Sequence, residues 1–137
     1  MGGKGKLKRK KPQSGNKISP PESNKFKNID YPVFCFKYLQ KGYSITDLDA
    51  NNKSALLEQL YKLSQLSWSN IQTTHRHGMG TEKIDQNSIK PPLPSFVTKE
   101  VTLLALRYLG KQPFVGYRFD HVFHILYIDH NFTVYPH

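Results

Sequence analysis

Residues 118–137, which end in "DHVFHILYIDHNFTVYPH", combine side chains that can move protons with one that can hold phosphate. A histidine in a strand can be a packed core residue, a metal ligand, a proton donor or an RNA contact. The proton-donor role is open to it because imidazole titrates near neutral pH. An arginine nearby can hold a phosphate while the imidazole moves protons, which is the chemistry of RNA cleavage by the ribose 2′-hydroxyl. The candidate catalytic residues are Arg118, His124, Tyr135 and His137.

Tight turns would bring these candidates together. Asp120–His121 and His130–Asn131 are predicted to be two-residue hairpin turns, a position that Asn favours because it tolerates positive φ. This pairing sets Tyr117 opposite His124 and His124 opposite His137, and directly opposed side chains share a face of the sheet. Tyr135 becomes their diagonal neighbour. A register change of one residue would move every side chain to the other face.

The same residues have structural interpretations. His124 would share its face with the apolar residues Leu126 and Ile128, which favours a core or edge histidine with a satisfied hydrogen bond. Arg118 can equally pair with Asp120 at the surface. The two histidines at the predicted turns need no special explanation.

A second cluster lies in "THRHGMGTEKI", residues 74–84. Cations at the end of a helix meet the negative end of its dipole, and a glycine ends the turn, so a structural account is complete. The functional alternative is an anion-binding site edged by His75, Arg76, His77 and Lys83. Two histidines that are two positions apart on a helix point in different directions, and no carboxylate or cysteine cluster completes four ligands, so no metal site is predicted.

The elements that must position these residues define an α+β domain. "YPVFCFKYL" alternates as a strand, "DLDANNKSALLEQLYKLSQL" has helical spacing after a capping Asp or Asn, and "WSNIQTTHRH" predicts a second, shorter helix. "PPLP" is an extended connector. "VTLLALRYL", "FVGYRF", "VFHILYI" and "FTVYP" predict four short strands in an antiparallel meander. The expected fold is one N-terminal strand, a short helical hairpin and a C-terminal meander, with both helices on one face of the sheet.

Charge separates the chain into two parts. Residues 1–28 contain nine Lys and Arg against Glu22 alone, a balance of 9 − 1 = +8 out of the formal +10. Few apolar residues are present there, so 1–28 is predicted to be a disordered basic arm and 29–137 a single domain. Such an arm attracts polyanions, above all RNA or the ribosome, and the alternatives are a solubilising tail or an anionic-membrane contact. The arm's candidate nucleic-acid contacts are Lys4, Lys6, Lys8, Arg9, Lys10 and Lys11.

Several function classes are excluded by absent features. The chain has one cysteine, Cys35, and no apolar run near the length of a membrane span or a signal peptide, which predicts a cytoplasmic protein without membrane partners. Cys35 lies between two phenylalanines, as a packed thiol does. No phosphate-binding, dinucleotide-binding or serine-hydrolase motif is present, so no cofactor is predicted.

The order strand, helical pair and terminal meander ending in "HILYIDHNFTVYPH" resembles the RelE/ParE-type toxin superfamily. The resemblance implies mRNA cleavage on the ribosome by basic and aromatic side chains on the sheet, here Arg118, His124, Tyr135 and His137. "FCFKYL", "HRHGMGTEKI", "PFVGYRF" and "FHILYID" are also similar to blocks shared by a set of uncharacterised small bacterial proteins.

These observations predict an RNA-directed protein, with a metal-independent endoribonuclease of the toxin type as the leading hypothesis. In that case Arg118 holds phosphate, His124 or His137 transfers a proton, and Tyr135 stacks or orients. A cognate antitoxin or inhibitor protein would be a further partner. The alternatives are a non-catalytic RNA- or ribosome-binding module and a protein-interaction component of a phage-defence system.

Overall fold

The computed structural model describes residues 29–73 and 80–137. It has the predicted α+β fold, in the order β1 (Val33–Cys35), α1 (Ala50–Ser64), α2 (Trp68–Thr73), β2 (Glu82–Ile84), β3 (Leu103–Leu109), β4 (Gln112–Phe119) and β5 (Val122–Ile128). The predicted basic arm, with Lys4, Lys6, Lys8, Arg9, Lys10 and Lys11, lies outside the described residues, as do His75, Arg76 and His77.

The strands form one mixed sheet in the order β1-β5-β4-β3-β2 within the described ranges. The antiparallel hairpins predicted for β3, β4 and β5 are confirmed, and β2 adds to β3 in the same sense. The N-terminal strand β1 pairs with β5 in parallel. Because β1 is parallel to β5, the chain must cross over between them, and α1 and α2 lie in that crossover.

The fourth predicted strand, "FTVYP", does not form, and the expected pairing of His124 with His137 is wrong. The edge of β5 that this segment would need is already occupied by β1. His130 and Asn131 do form a turn, but Phe132 then adopts a left-handed φ of 58°, and the chain leaves the sheet. The buried carboxylate of Asp129 accepts hydrogen bonds from the backbone N–H groups of Thr133 and Val134 at 2.8 and 3.0 Å.

Both described helices cover one face of the sheet, as predicted. The Asp49 carboxylate caps α1 by accepting from the Asn52 backbone N–H at 2.7 Å. Ser67 caps α2 in the same way through the Asn70 N–H at 3.0 Å. The apolar side chains that the helices bury against the sheet are Leu56, Leu60, Leu63, Trp68 and Ile71.

The other side of the sheet, called here the non-helical face, is covered in part by irregular chain. The proline-rich connector runs across it, where Pro92 accepts a hydrogen bond from the Tyr127 hydroxyl at 3.0 Å. The C-terminal segment lies beside this connector, and Lys90 N–H donates to the Val134 carbonyl at 2.7 Å. Val134 and Tyr135 are thereby buried in the second apolar cluster.

Candidate functional site

A lateral row of residues crosses the non-helical face from β2 to β1. The register pairs Ile84 with Leu103, Leu103 with Tyr117, Tyr117 with His124, and His124 with Cys35. The predicted two-residue turn at Asp120–His121 is confirmed, and with it the predicted juxtaposition of Tyr117 and His124. This row positions the candidate site.

Four rings gather around the middle of the row and are called here the aromatic platform: Tyr38, Phe96, Tyr117 and His124. The Tyr117 and His124 rings stack with centroids 4.8 Å apart and planes inclined by 21°. Tyr38 contacts His124 at 5.6 Å and Phe96 at 4.8 Å, and Phe96 contacts Tyr117 at 6.3 Å. Phe96 is 45 % exposed and the other three rings are partly exposed, so solvent reaches the platform.

Sequence reasoning missed Tyr38 and Phe96. Tyr38 belongs to the segment predicted to alternate as a strand, which would put it on the face of Phe34, but β1 ends at Cys35, three residues earlier. Phe96 follows the proline-rich connector and has no periodic signal. Cys35 also reaches the row, whereas its neighbour Phe34 packs on the helical side against Phe114 and Phe123. Nonlocal strand pairing brings these residues together.

His124 is held in an uncharged state by its surroundings. Its Nδ1 is buried and has no hydrogen-bond partner among the described residues. Burial lowers the pKa of the His124 imidazole below its usual 6.5, so the neutral ring predominates at neutral pH. The satisfied hydrogen bond expected of a core histidine is therefore not formed at Nδ1 by any described residue, and Nδ1 can donate or accept according to the tautomer.

The lowered pKa of His124 makes stability depend on pH. The unfolded chain binds the proton more readily than the folded chain, so this contribution is full above about pH 6.5 and is lost as the pH falls through the folded pKa. We expect urea midpoints of the wild type to fall more than those of His124→Phe between about pH 7.5 and pH 5.5. Parallel curves for the two proteins would contradict this assignment.

Tyr117 is held in its protonated form beside His124. Burial raises the pKa of the Tyr117 hydroxyl, and the proximity of the Tyr38 hydroxyl and the Cys35 thiol raises it further. The hydroxyl therefore remains a hydrogen-bond donor at any physiological pH. A protonated phenol thus lies next to an uncharged imidazole on a partly open surface.

Arg118 does not join this group, contrary to the expectation of an arginine beside the histidine and tyrosines. Its guanidinium lies 4.5 Å from the Trp68 ring centroid on the helical side, and its Nε donates to the Asp120 carbonyl at 2.6 Å. Successive residues of a strand point to opposite faces, so Arg118 cannot share a face with Tyr117. The alternative pairing with Asp120 is realised through its backbone oxygen rather than its carboxylate.

The other two catalytic candidates belong to the C-terminal segment. His137 Nε2 lies 3.4 Å from Asp129 Oδ2, and its ring packs on Tyr135 with centroids 4.2 Å apart. The Tyr135 hydroxyl is buried without a hydrogen-bond partner among the described residues, and burial raises its pKa. Beside it, Arg107 donates to Glu82 at 2.7 Å. His137 is thus held by the buried Asp129, and Tyr135 packs on the His137 ring. Neither residue pairs with His124.

Two structural interpretations of histidines are confirmed. His121 and His130 occupy turns, as predicted. The His121 side chain lies 3.7 Å from the Asp120 carboxylate, and the His130 carbonyl accepts from the Gln112 amide at 2.6 Å. Neither lies on the aromatic platform.

Lys83, the described member of the predicted anion site, is exposed on β2 next to Ile84, which ends the row, and it pairs with Leu104 on the helical side. It lines a cleft of about 590 Å³ together with Lys99. The remaining lining residues are Ile84, Asp85, Gln86, Asn87, Val101, Thr102 and Leu103.

The fold and the site define an α+β protein with a partly open aromatic sheet face. No protein-family model, curated protein or solved structure matches the chain. No helix in the described part of the chain has the length and apolar character that crossing a bilayer requires. Within residues 29–73 and 80–137, no group of three or more His, Cys, Asp or Glu side chains is arranged to hold a metal ion.

Proposed function

We propose that the protein binds single-stranded RNA, with bases stacking on the aromatic platform. The observation that carries this proposal is the gathering of four rings on a partly exposed part of a sheet face. Unpaired bases stack on aromatic side chains of exposed sheets, and this accepts any base because every base has a π-face. The proposal places the protein in the cytoplasm, as the sequence predicts.

The polar groups of the platform complement stacking. The protonated Tyr117 hydroxyl can donate, and the free Nδ1 of neutral His124 can donate or accept according to its tautomer. Base edges and the ribose 2′-hydroxyl offer both donors and acceptors. Bound RNA would therefore provide the partner that Nδ1 lacks in the free protein.

The basic segment 1–28 supplies the long-range attraction. Its balance of +8 against +2 for the remainder concentrates the charge in residues 1–28. Charge of this kind gives affinity without base preference and makes binding strongly dependent on salt. The platform then supplies contacts to bases, and the segment supplies attachment to RNA or to the ribosome.

The test is fluorescence anisotropy with a labelled oligo(U) of roughly eight nucleotides, with the DNA counterpart as a second ligand. Stacking contributes about 1–3 kcal/mol per base, so Tyr38→Leu should weaken binding roughly tenfold, and Tyr117→Leu should do the same. Tyr61→Leu is the matched control, because Tyr61 is 67 % exposed on α1, away from the platform. Equal affinities for the wild type and both platform variants would refute the proposal.

A second candidate function is RNA cleavage by a toxin-type endoribonuclease, as the resemblance to the RelE/ParE-type superfamily implies. The observation that favours it is the uncharged His124, whose lowered pKa suits a proton acceptor, next to the protonated Tyr117. Phosphate would then be held by lysines, because Arg118 is on the other face. A cognate inhibitor protein would be its partner.

Cleavage is tested by inducing the wild type and His124→Gln and scoring growth and the integrity of a reporter mRNA, with and without ribosomes in vitro. Growth arrest and cut message with the wild type alone, while His124→Gln remains folded, would establish catalysis. Intact message with the wild type would exclude this candidate and leave RNA binding by the platform.

A further inference from the structure

We infer that the cleft beside β2 binds a phosphodiester group of the same RNA strand whose base stacks on Tyr117. This inference rests on the proposed RNA-binding function and extends it from the bases to the backbone. It gives a role to Lys83, which the sequence marks as a candidate anion contact, and to Lys99, which it does not.

The cleft has the charge and polarity that a phosphate needs. Lys99 and Lys83 both line it and are both exposed. Lys83 pairs with Leu104 on the helical side, so its long, flexible side chain reaches a ligand by bending around the edge strand β2. The one carboxylate in the lining, Asp85, is engaged in accepting from the Asn87 backbone N–H at 3.0 Å. Two cations against one committed carboxylate leave a net positive cleft.

The wall of the cleft is held in place by hydrogen bonds. The Gln86 side-chain amide donates to the carbonyls of Thr98 and Val101 at 2.9 and 2.6 Å. These bonds tie the turn after β2 to the segment that carries Lys99. Because the two walls are joined, the cleft is a preformed space of about 590 Å³, which falls within the usual size range of ligand sites.

The cleft and the aromatic platform are continuous along the row that crosses the sheet. Leu103 forms part of the cleft and is the direct partner of Tyr117 on the next strand. Neighbouring strands lie about 4.8 Å apart, so the cleft floor begins about one strand from the stacking ring. Phe96 touches Tyr117, and Lys99 follows three residues later on the same segment. The phosphate next to a base stacked on Tyr117 would therefore enter the cleft on its Leu103 side.

The experiment measures the salt dependence of oligo(U) binding by the full chain over about 50 to 300 mM salt. The variant is Lys83→Gln/Lys99→Gln, and the control is Lys111→Gln, an exposed lysine at the turn between β3 and β4. Each phosphate contact on a single strand adds about 0.7 to the slope of log K against log salt. We expect the double variant to reduce this slope by about 0.7, because the cleft holds one phosphate, and to lose roughly fivefold in affinity at about 0.1 M salt.

The outcomes separate this inference from the proposed function. A double variant with the slope of wild type, while Tyr117→Leu still weakens binding, would overturn the cleft assignment alone. A slope reduced as much by Lys111→Gln would also overturn it, because the effect would then be one of net charge. Competition by uridine monophosphate as effective as that by oligo(U) would show a free-nucleotide site and would equally overturn it. A reduced slope in the double variant alone, with weak competition by the mononucleotide, supports the inference.

Discussion

Gly116→Ala is expected to lower the free energy of unfolding by about 3 kcal/mol or more. A Cβ at this position would lie 2.0 Å from the His124 carbonyl oxygen and 2.9 Å from its carbon, with the Ile125 Cα at 3.0 Å. All three atoms belong to the backbone of the neighbouring strand, so no side chain can move away to make room. The methyl group can be accommodated only if β4 and β5 separate.

The location of this contact links stability to the site. Gly116 immediately precedes Tyr117, and the atoms it would strike belong to His124 and Ile125. Separation of the strands there would pull apart the stacked Tyr117 and His124 rings. We therefore expect Gly116→Ala to lose oligo(U) affinity even under conditions in which it remains folded.

Urea denaturation and circular dichroism measure the effect of Gly116→Ala. The control is Gly110→Asn. Gly110 lies in a turn with φ of 57°, a left-handed conformation that asparagine tolerates, and a Cβ added there would have no atom within 4 Å. We expect that control to stay within about 1 kcal/mol of the wild type. A Gly116→Ala protein as stable as the control would refute the close approach of the two strands.

Asp129→Ala is expected to have the second large effect, a loss of about 3 kcal/mol. The Asp129 carboxylate is fully buried and accepts from the backbone N–H groups of Thr133 and Val134 at 2.8 and 3.0 Å. His137 Nε2 adds a longer contact at 3.4 Å. Removing the carboxylate leaves the Val134 N–H buried without a partner, at about 1–3 kcal/mol for a single unsatisfied group.

The effect of Asp129→Ala should be greatest in the C-terminal segment. Val134 and Tyr135 are buried on the non-helical face only while this segment stays bound to the sheet. Hydrogen exchange should show loss of protection at the Val134 amide before any loss in β3 or β4. Asp129→Asn keeps one acceptor oxygen and should be less destabilised. Asp120→Asn is the neutral control, because the Asp120 side chain is 82 % exposed and asparagine tolerates the left-handed φ of 60° there.

A uniform loss of protection across the sheet in Asp129→Ala would contradict a local role for the carboxylate. Unchanged protection at Val134 would contradict the hydrogen bonds themselves. Since the segment covers the same face as the aromatic platform, the variant should also be assayed with oligo(U), to learn whether a released segment changes access to the rings.

Local patterns made much of this fold predictable. The leucine spacing and capping Asp49 of α1, the cap at Ser67, and the turn at Asp120–His121 were all readable from neighbouring residues. The strict alternation of a strand was enough to place Tyr117 and Arg118 on opposite faces. The expectation that Arg118 lies beside the histidine and tyrosines was therefore wrong for a reason already contained in the sequence.

Two features of the sheet were not predicted, because they depend on pairing between strands that are far apart in the sequence. The parallel contact of β1 with β5 joins residues almost ninety positions apart, and it occupies the edge that "FTVYP" was expected to use. A bulge between Val115 and Gly116 places Leu126 with Tyr127 in the cluster of the non-helical face and turns Ile128 to the helical side. The spacing predicted that Ile128 shares the face of His124. Because of the bulge, Ile128 lies on the opposite face.

The sequence by itself determined the fold class, the antiparallel hairpins of β3 to β5, the pairing of Tyr117 with His124 and the concentration of charge in residues 1–28. These properties follow from composition, local periodicity and turn residues, which act over a few positions. Only the tertiary structure decided that Tyr38 and Phe96 join the pair, that the cleft adjoins it, and that His137 contacts Asp129 instead of pairing with His124. Such contacts join segments far apart in the chain, and they form because packing and buried hydrogen bonds select one arrangement among many that the local pattern allows.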